Sequence, residues 1–448
     1  MNPNWIDELN IVQDGTGNTQ NNSFIQAHGQ KNQPIPSNVR RGSQNFVGRG
    51  EELAEIHQKL QEGQGVIVCA VEGLGGVGKT ELALQYADRY KEEYTAQYWL
   101  QLREMDLAEA VVQLALVVPI ALPEAMHAAR IEAQAQWYWQ NCLPAQGKLL
   151  VILDDVAKAE SMPDEAMPFD PRVQILVTTR ERSLQMGFES VPLAVLTEGE
   201  ALELLRKIVG VGKVDRELAT VQQICQTLGY LPLAIELVGE YLAKNRFLTF
   251  AELQERLHLA DESIARERKH KFYAYRGVAA AIRLSWDDLS ATSQRVAMLL
   301  GLFAPVDILW ELVEGIRESV EITKTELNEA RGQLDNLHLI QPIDEENKFY
   351  KIHTLVREFF RIELSQKEEN NQFRQAFVTH LLEIANNIHP LTNDKIRIAA
   401  YASPHITLAR QEMSSNIYNS EDDLSLKFAE SAIYLEGNAT ISLVTEGE

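Results

Sequence analysis

From Phe46 onward the chain alternates short apolar runs with stretches of helical spacing. Val66-Ile-Val-Cys-Ala-Val71, Tyr98 to Leu102, Leu149-Leu-Val-Ile-Leu153, Val173 to Val177 and Val191 to Val195 are short, mainly apolar runs. Each predicts a strand buried on both faces. Between them, Leu53, Ile56 and Leu60 recur at helical spacing, as do Leu82, Tyr86 and Ala87. Buried strands separated by helices predict a parallel sheet covered on both sides, an α/β domain over residues 45–196.

Beyond that point the strands stop. Thr197-Glu-Gly-Glu200 has the form of a capping box, and Ala201, Leu204, Leu205 and Ile208 continue the helical period, so residues 197–265 predict a helical domain. The basic run from Arg266 to Lys271 reads as a link between domains. Residues 272–362 begin with helices and end with two apolar arms, Leu334 to Ile343 and Phe349 to Ile352, flanking the acidic turn Asp344-Glu-Glu-Asn347. Helices followed by a hairpin is the order of a winged-helix domain. Residues 363–448 predict further helix without a strong motif. Residues 1–44 contrast with all of this: eight Asn and six Gln, with almost no apolar period, suit disorder or a segment that becomes β-structured only in an assembly.

A length of 448 residues admits two to four domains, in keeping with that division. The 64 Asp+Glu against 42 Lys+Arg leave a net charge of -22, which argues against coating nucleic acid or an anionic membrane as the main task. Cys69, Cys142 and Cys225 are too far apart for a disulfide framework or a zinc site. The most apolar stretch, Ala108 to Leu122, is interrupted by Gln113 and Pro119 and does not predict a membrane span. No signal-peptide pattern opens the chain, and a cytoplasmic location is expected.

Chemistry concentrates at the ends of the predicted strands. Gly73-Leu-Gly-Gly-Val-Gly-Lys-Thr80 fits G-x-x-x-x-G-K-[ST], follows one strand and opens a helix. Gly73, Gly75, Gly76, Val77 and Gly78 let backbone N–H groups converge on phosphate oxygens, and the helix N-terminus, continuing into Glu81, adds its positive dipole. Lys79 is expected to neutralise the β- and γ-phosphates and Thr80 to hold Mg²⁺. Asp154 and Asp155 follow the Leu149–Leu153 strand, at the sheet edge where α/β folds bind ligands. Asp154 is expected to be the second Mg²⁺ partner, and Asp155 to orient an attacking water. Arg180, in Thr178-Thr-Arg180, is placed to reach a γ-phosphate.

These residues, in this order, resemble the NB-ARC class of STAND ATPases, found in plant immune receptors, apoptosome scaffolds and bacterial signalling proteins. The likeness runs through Phe46-Val-Gly-Arg49, the phosphate loop, Tyr98-Trp99, Leu153-Asp-Asp-Val156 and Thr178-Thr-Arg180. It continues through Gly229-Tyr-Leu-Pro-Leu-Ala234, Arg283-Leu-Ser-Trp-Asp-Asp-Leu289 and Ile352-His-Thr-Leu355. The resemblance implies that Val47 and Arg49 contact the adenine and ribose, that Pro232 packs against the base, and that His353 reaches the β-phosphate of ADP. Where the family has Asp after that histidine, this chain has Thr354.

The same resemblance implies a switch whose cofactors are ATP or ADP with Mg²⁺. ADP would hold the chain closed, and ATP would open it and drive self-oligomerisation, with slow hydrolysis as a reset. Defence or cell-death signalling is the expected setting. The segment Asp14 to Gln33, with Gly/Asn/Gln arms around Phe24-Ile25, looks similar to amyloid-signalling motifs that engage a downstream effector, although Ala27-His28 lengthens the usual spacing; a plain disordered leader is the other reading. The alternative function is a transcriptional regulator that binds DNA through the winged helix. Against it, residues 271–363 hold eleven Lys+Arg and fifteen Asp+Glu, whereas recognition helices present clustered positive charge.

Overall fold

A computed structural model describes residues 37–409, except 64, 71–74, 104, 117–121, 124–125, 127–128, 182–186, 267–275, 345, 347, 387–397 and 399–400. The Asn/Gln-rich leader with its amyloid-like segment, the basic link at 266–271 beyond its first residue, and the end of the chain past 409 therefore lie outside the described residues.

Five parallel strands form the central sheet: β1 (Gly65–Ala70), β2 (Ala96–Gln101), β3 (Leu149–Val156), β4 (Val173–Thr179) and β5 (Glu189–Leu193), in the order β2-β3-β4-β1-β5. All five apolar runs became strands within three residues of their expected limits. Their alternation divides the core. Val66, Val68, Leu150, Ile152 and Leu176 face the helices Gly50–Glu62 and Lys79–Arg89, burying Leu53, Ile56, Leu60, Leu82 and Tyr86. Ile67, Val151, Leu153, Ile175 and Val177 face the other way, against helices Leu107–Leu116 and Ile131–Asn141.

The helical segment begins where the capping box forecast it. Thr197 caps helix Glu198–Val209 by accepting the Glu200 N–H, and Glu200 returns the bond to the Thr197 N–H. One apolar core then runs from Val47 and Leu196 through this helix, through helices Pro232–Lys244 and Phe250–Arg266, and on into the region past residue 276. No core boundary separates the two helical units that the sequence distinguishes.

Past residue 276, helices Arg276–Asp287 and Ala291–Leu300 lead to strand β6 (Ile308–Leu309), and after helix Lys324–Asn336 the strands β7 (Gln341–Pro342) and β8 (Phe349–Lys351) complete a small antiparallel sheet in the order β6-β8-β7. The hairpin is shorter than expected: Leu334 to Asn336 complete a helix, leaving β7 as Gln341–Pro342 and β8 as Phe349–Lys351. Strand β6 (Ile308–Leu309) pairs β8 on its other edge and, at two residues, leaves no alternation to read. Pro342 falls on an edge strand, where its missing N–H costs nothing. Helices Thr354–Ser365 and Asn370–Asn386 follow, and residues 401–409 return as a helix against this unit. There His405 Nδ1 accepts the Ala304 N–H at 2.9 Å, and Tyr401 packs on Phe349 with ring centres 4.7 Å apart. Among the described residues no helix is long and apolar enough to cross a membrane.

Candidate functional site

The carboxyl ends of β1, β3 and β4 open into a cavity of about 1580 Å³, bounded on its far side by helix Pro232–Lys244 and by β8. The phosphate loop sits at its floor; Gly73 lies outside the described residues. Gly76 (φ 78°) and Gly78 (φ 98°) hold left-handed conformations that side chains resist, which is why the turn needs glycine there. A Cβ on Gly76 would also come within 3.3 Å of Leu233, and the Gly76 carbonyl accepts the Leu233 N–H. Val77 turns its side chain into the core, so only its backbone faces a ligand. Pro232 occupies the first turn of its helix, where a proline's fixed φ is favourable, and packs toward Gly78.

Lys79 begins helix Lys79–Arg89 at 7% exposure. Burial, aided by the neighbouring Arg180 charge, lowers its pKa to about 8, while Asp155 and Asp154 pull the other way. Thr80 Oγ1 donates to Asp154 Oδ1 at 2.9 Å, and Thr178 Oγ1 donates to the same oxygen at 2.6 Å. Burial followed by the Asp155 charge raises the Asp154 pKa, and these two hydroxyls oppose the shift. Asp155 sits where the β3–β4 register slips, with φ 55°, a strained angle for a non-glycine residue. Its N–H donates to Thr178 Oγ1 at 2.9 Å. Arg103 Nη1 approaches its carboxylate at 2.7 Å and Arg180 Nε at 3.3 Å. Burial alone would raise this carboxyl, but the two guanidinium groups hold its pKa below the usual value.

His353 closes the opposite wall. It caps helix Thr354–Ser365: Nδ1 accepts the Leu355 N–H at 3.1 Å. The acceptor nitrogen must be unprotonated, so the neutral ring carries its proton on Nε2. Burial, then the charges of Lys351 and Arg180, lower its pKa to about 3. Leu355, two residues on, lies 3.5 Å from the Cβ position of Gly75, so this wall rests directly on the phosphate loop.

On the third side, Val47 is buried in the cavity lining. Arg49 is buried too, but Nη2 donates to the Ala194 carbonyl at 2.6 Å and Nη1 pairs with Glu52 at 2.9 Å. Its guanidinium thus ties the Phe46–Arg49 turn to the end of β5. Glu81 also lines the cavity, and its carboxylate accepts the Ser43 N–H at 2.5 Å, fastening the entering chain to the helix.

The structure therefore gathers Val47, Arg49, Gly75 to Thr80, Asp155, Arg180, Pro232 and His353 around one cavity, with Asp154 just behind Thr80. Sequence reasoning missed Arg103, Lys351 and Glu236. Arg103 follows β2, whose register sets Gln101 against Asp154, so strand order would have revealed it. Lys351 lies on β8, and burial with the nearby Arg40 charge lowers its pKa to about 8. Glu236 lines the cavity one helical turn past Pro232; burial and then Glu81 and Glu240 raise its pKa to about 7.

Comparison with known proteins agrees with this geometry. Residues 49–215 match the family model for the NB-ARC domain. The regulatory protein AfsR of Streptomyces griseus is 26% identical over 376 residues, which is 80% of this chain and 37% of that protein. The probable disease resistance RPP8-like protein 2 of Arabidopsis thaliana is 26% identical over 219 residues, 46% of this chain and 24% of its own length. The chain thus spans between about a quarter and little more than a third of the length of such relatives. Among solved structures, a Walker-type ATPase of Pyrococcus abyssi covers 73% of this chain and 98% of its own at 15% identity and a TM-score of 0.34, a loose overlay. A glycine loop, an acidic pair and an arginine at three adjacent strand ends all lie inside the matched region: residues 49–215 of the chain carry an NB-ARC domain.

Proposed function

We propose that this chain is an ATP/ADP switch in which the unit carrying β6 to β8, read as a winged helix, acts as a lid over the nucleotide. The observation that carries the reading is the placement of His353: its Nε2–H, with no charge to lose near neutral pH, shares a cavity with Lys79 and the phosphate loop. A neutral donor on the lid suits a phosphate that is present in both states, whereas Arg180 suits the one that appears only in ATP. Val47 and the Arg49 turn would receive the base and ribose, and Pro232 would cover the base. Thr80 and Asp154 converge as an all-oxygen pair, and Mg²⁺ binds through one or two such groups plus phosphates. When bound there, the ion would neutralise charge on the β- and γ-phosphates. Asp155, kept ionised by Arg103 and Arg180, would orient the attacking water.

In the resting state ADP would bridge the loop and the lid; exchange for ATP would shift the population toward an open, self-associating form, because only differential affinity can move such an equilibrium. Slow hydrolysis would reset it. Signalling in defence is the setting favoured by the likeness to the plant disease resistance protein. Nucleotide analysis of the purified chain tests the reading: ADP is expected in near-stoichiometric amount, and Lys79→Ala should lower nucleotide affinity at least 100-fold. Protein that is nucleotide-free and indifferent to added ATP would sink it.

A further inference from the structure

Two surfaces remote from the cavity expose aromatic rings in opposite charge settings. Phe247 is 100% exposed in the turn between helices Pro232–Lys244 and Phe250–Arg266, and Phe169 is 75% exposed just before β4. They are the two most exposed large apolar side chains among the described residues. Phe247 neighbours helix Val211–Arg216, whose Lys213 Nζ donates to the Arg246 carbonyl at 3.4 Å, and Val211 there is also exposed. Lys213, Arg216, Lys244 and Arg246 surround this pair of apolar groups, and none of the four forms an ion pair among the described residues. The Glu217 carboxylate lies near Lys213, so in a chain of net charge -22 four cations against one nearby carboxylate leave a localised positive patch around an exposed ring.

Phe169 has the reverse setting. Glu160, Asp164 and Glu165 are exposed beside it and form no ion pair among the described residues, while Asp170 is taken by Arg172. The loop is held rigidly. Pro163, Pro168 and Pro171 restrict its backbone, Trp139 Nε1 donates to the Ala166 carbonyl at 2.9 Å, and Gln136 Nε2 donates to the Met167 carbonyl at 2.6 Å. Neither ring has a packing role in its own chain, and both are presented on fixed backbone, as a preorganised contact requires. Strand β4 and helix Pro232–Lys244 each lead away from the cavity for about 20 Å, so neither patch touches bound nucleotide.

We infer that these are the two halves of one head-to-tail interface between copies of this chain, the basic Phe247 patch of one copy meeting the acidic Phe169 patch of the next. Unlike patches on one molecule make a heterologous contact, which builds rings or filaments and leaves no isologous dimer. The inference rests on the self-associating switch proposed above and names its surface.

Charge exchange tests it in the full chain by sedimentation velocity with ATP and Mg²⁺, with nucleotide content measured in parallel. Lys213→Glu, Arg216→Glu and Arg246→Glu together make both patches acidic; Asp164→Lys with Glu165→Lys makes both basic. Each variant alone should assemble at least tenfold more weakly while retaining nucleotide. An equimolar mixture should recover assembly, as should a chain carrying all five changes, because opposite charges then meet again. Phe247→Ser should weaken assembly similarly at unchanged charge. Variants that assemble as tightly as the unaltered chain, or a mixture that stays dissociated, would overturn this surface alone. An unaltered chain that binds ATP yet remains monomeric would overturn both the surface and the self-association it rests on.

Discussion

Glu236 shows how one side chain in the cleft responds to its neighbours. Buried beside Glu81 and Glu240, it resists ionisation until about pH 7, while Lys351 only partly offsets the effect. A carboxyl kept near neutrality adds little repulsion toward phosphates bound in the same cavity. The sign of the consequence for folding is fixed by the direction of the shift. A folded pKa raised above the unfolded value means that the group's contribution is intact at low pH and is lost as pH rises through about 7. Glu236→Gln, which mimics the protonated form, should therefore leave stability unchanged near pH 4 and raise it by about 3 kcal/mol at pH 8.5. Urea unfolding at the two pH values checks this. A gain of equal size at both would assign the effect to packing in place of charge.

At the level of the element, the ring that caps helix Thr354–Ser365 also faces the cavity, so under the proposed function one residue would serve both folding and nucleotide sensing. The two roles separate by substitution. His353→Ala removes the cap and should cost about 1 kcal/mol of stability. His353→Asn supplies another good cap without the ring and should hold stability within about 0.5 kcal/mol. Both should release ADP at least tenfold faster, measured by displacement of a fluorescent analogue. Asn that released ADP as slowly as the unaltered chain would reduce His353 to a structural cap. The sequence was most legible where one element carried its own signal. The five buried runs, the capping box at Thr197 and the glycine loop each owe their form to neighbours a few residues away. What escaped depends on contacts distant in the chain. Arg103 meets Asp155 only because β2 lies beside β3, and Lys351 enters the cavity only because β6 and β7 flank β8. The β7 arm is shorter than its sequence signal because Leu334, Leu337, Leu339 and Ile340 continue the apolar pattern from the end of the helix up to the strand.

For the whole molecule, the net charge of -22 sets long-range repulsion against the local attraction between the Phe169 and Phe247 patches. The two act over different distances, so salt separates them. At 0.01 M ionic strength the Debye length is about 30 Å, and copies repel one another across their full width before any patch can meet. At 0.15 M it falls to about 8 Å, which silences most of that repulsion but spares charges in contact around a desolvated ring. At 1 M it is about 3 Å, and the contact pairs weaken as well. Assembly with ATP should therefore be strongest near physiological salt and fall on both sides, by several-fold at each extreme. Sedimentation across a salt series at fixed chain concentration measures this directly. The Phe247→Ser chain should keep the same dependence at a lower overall level, since it loses apolar contact and no charge. Assembly that rose steadily to 1 M would mean that the rings act without their charged surrounds, and that the cations beside Phe247 serve only to soften the repulsion between copies.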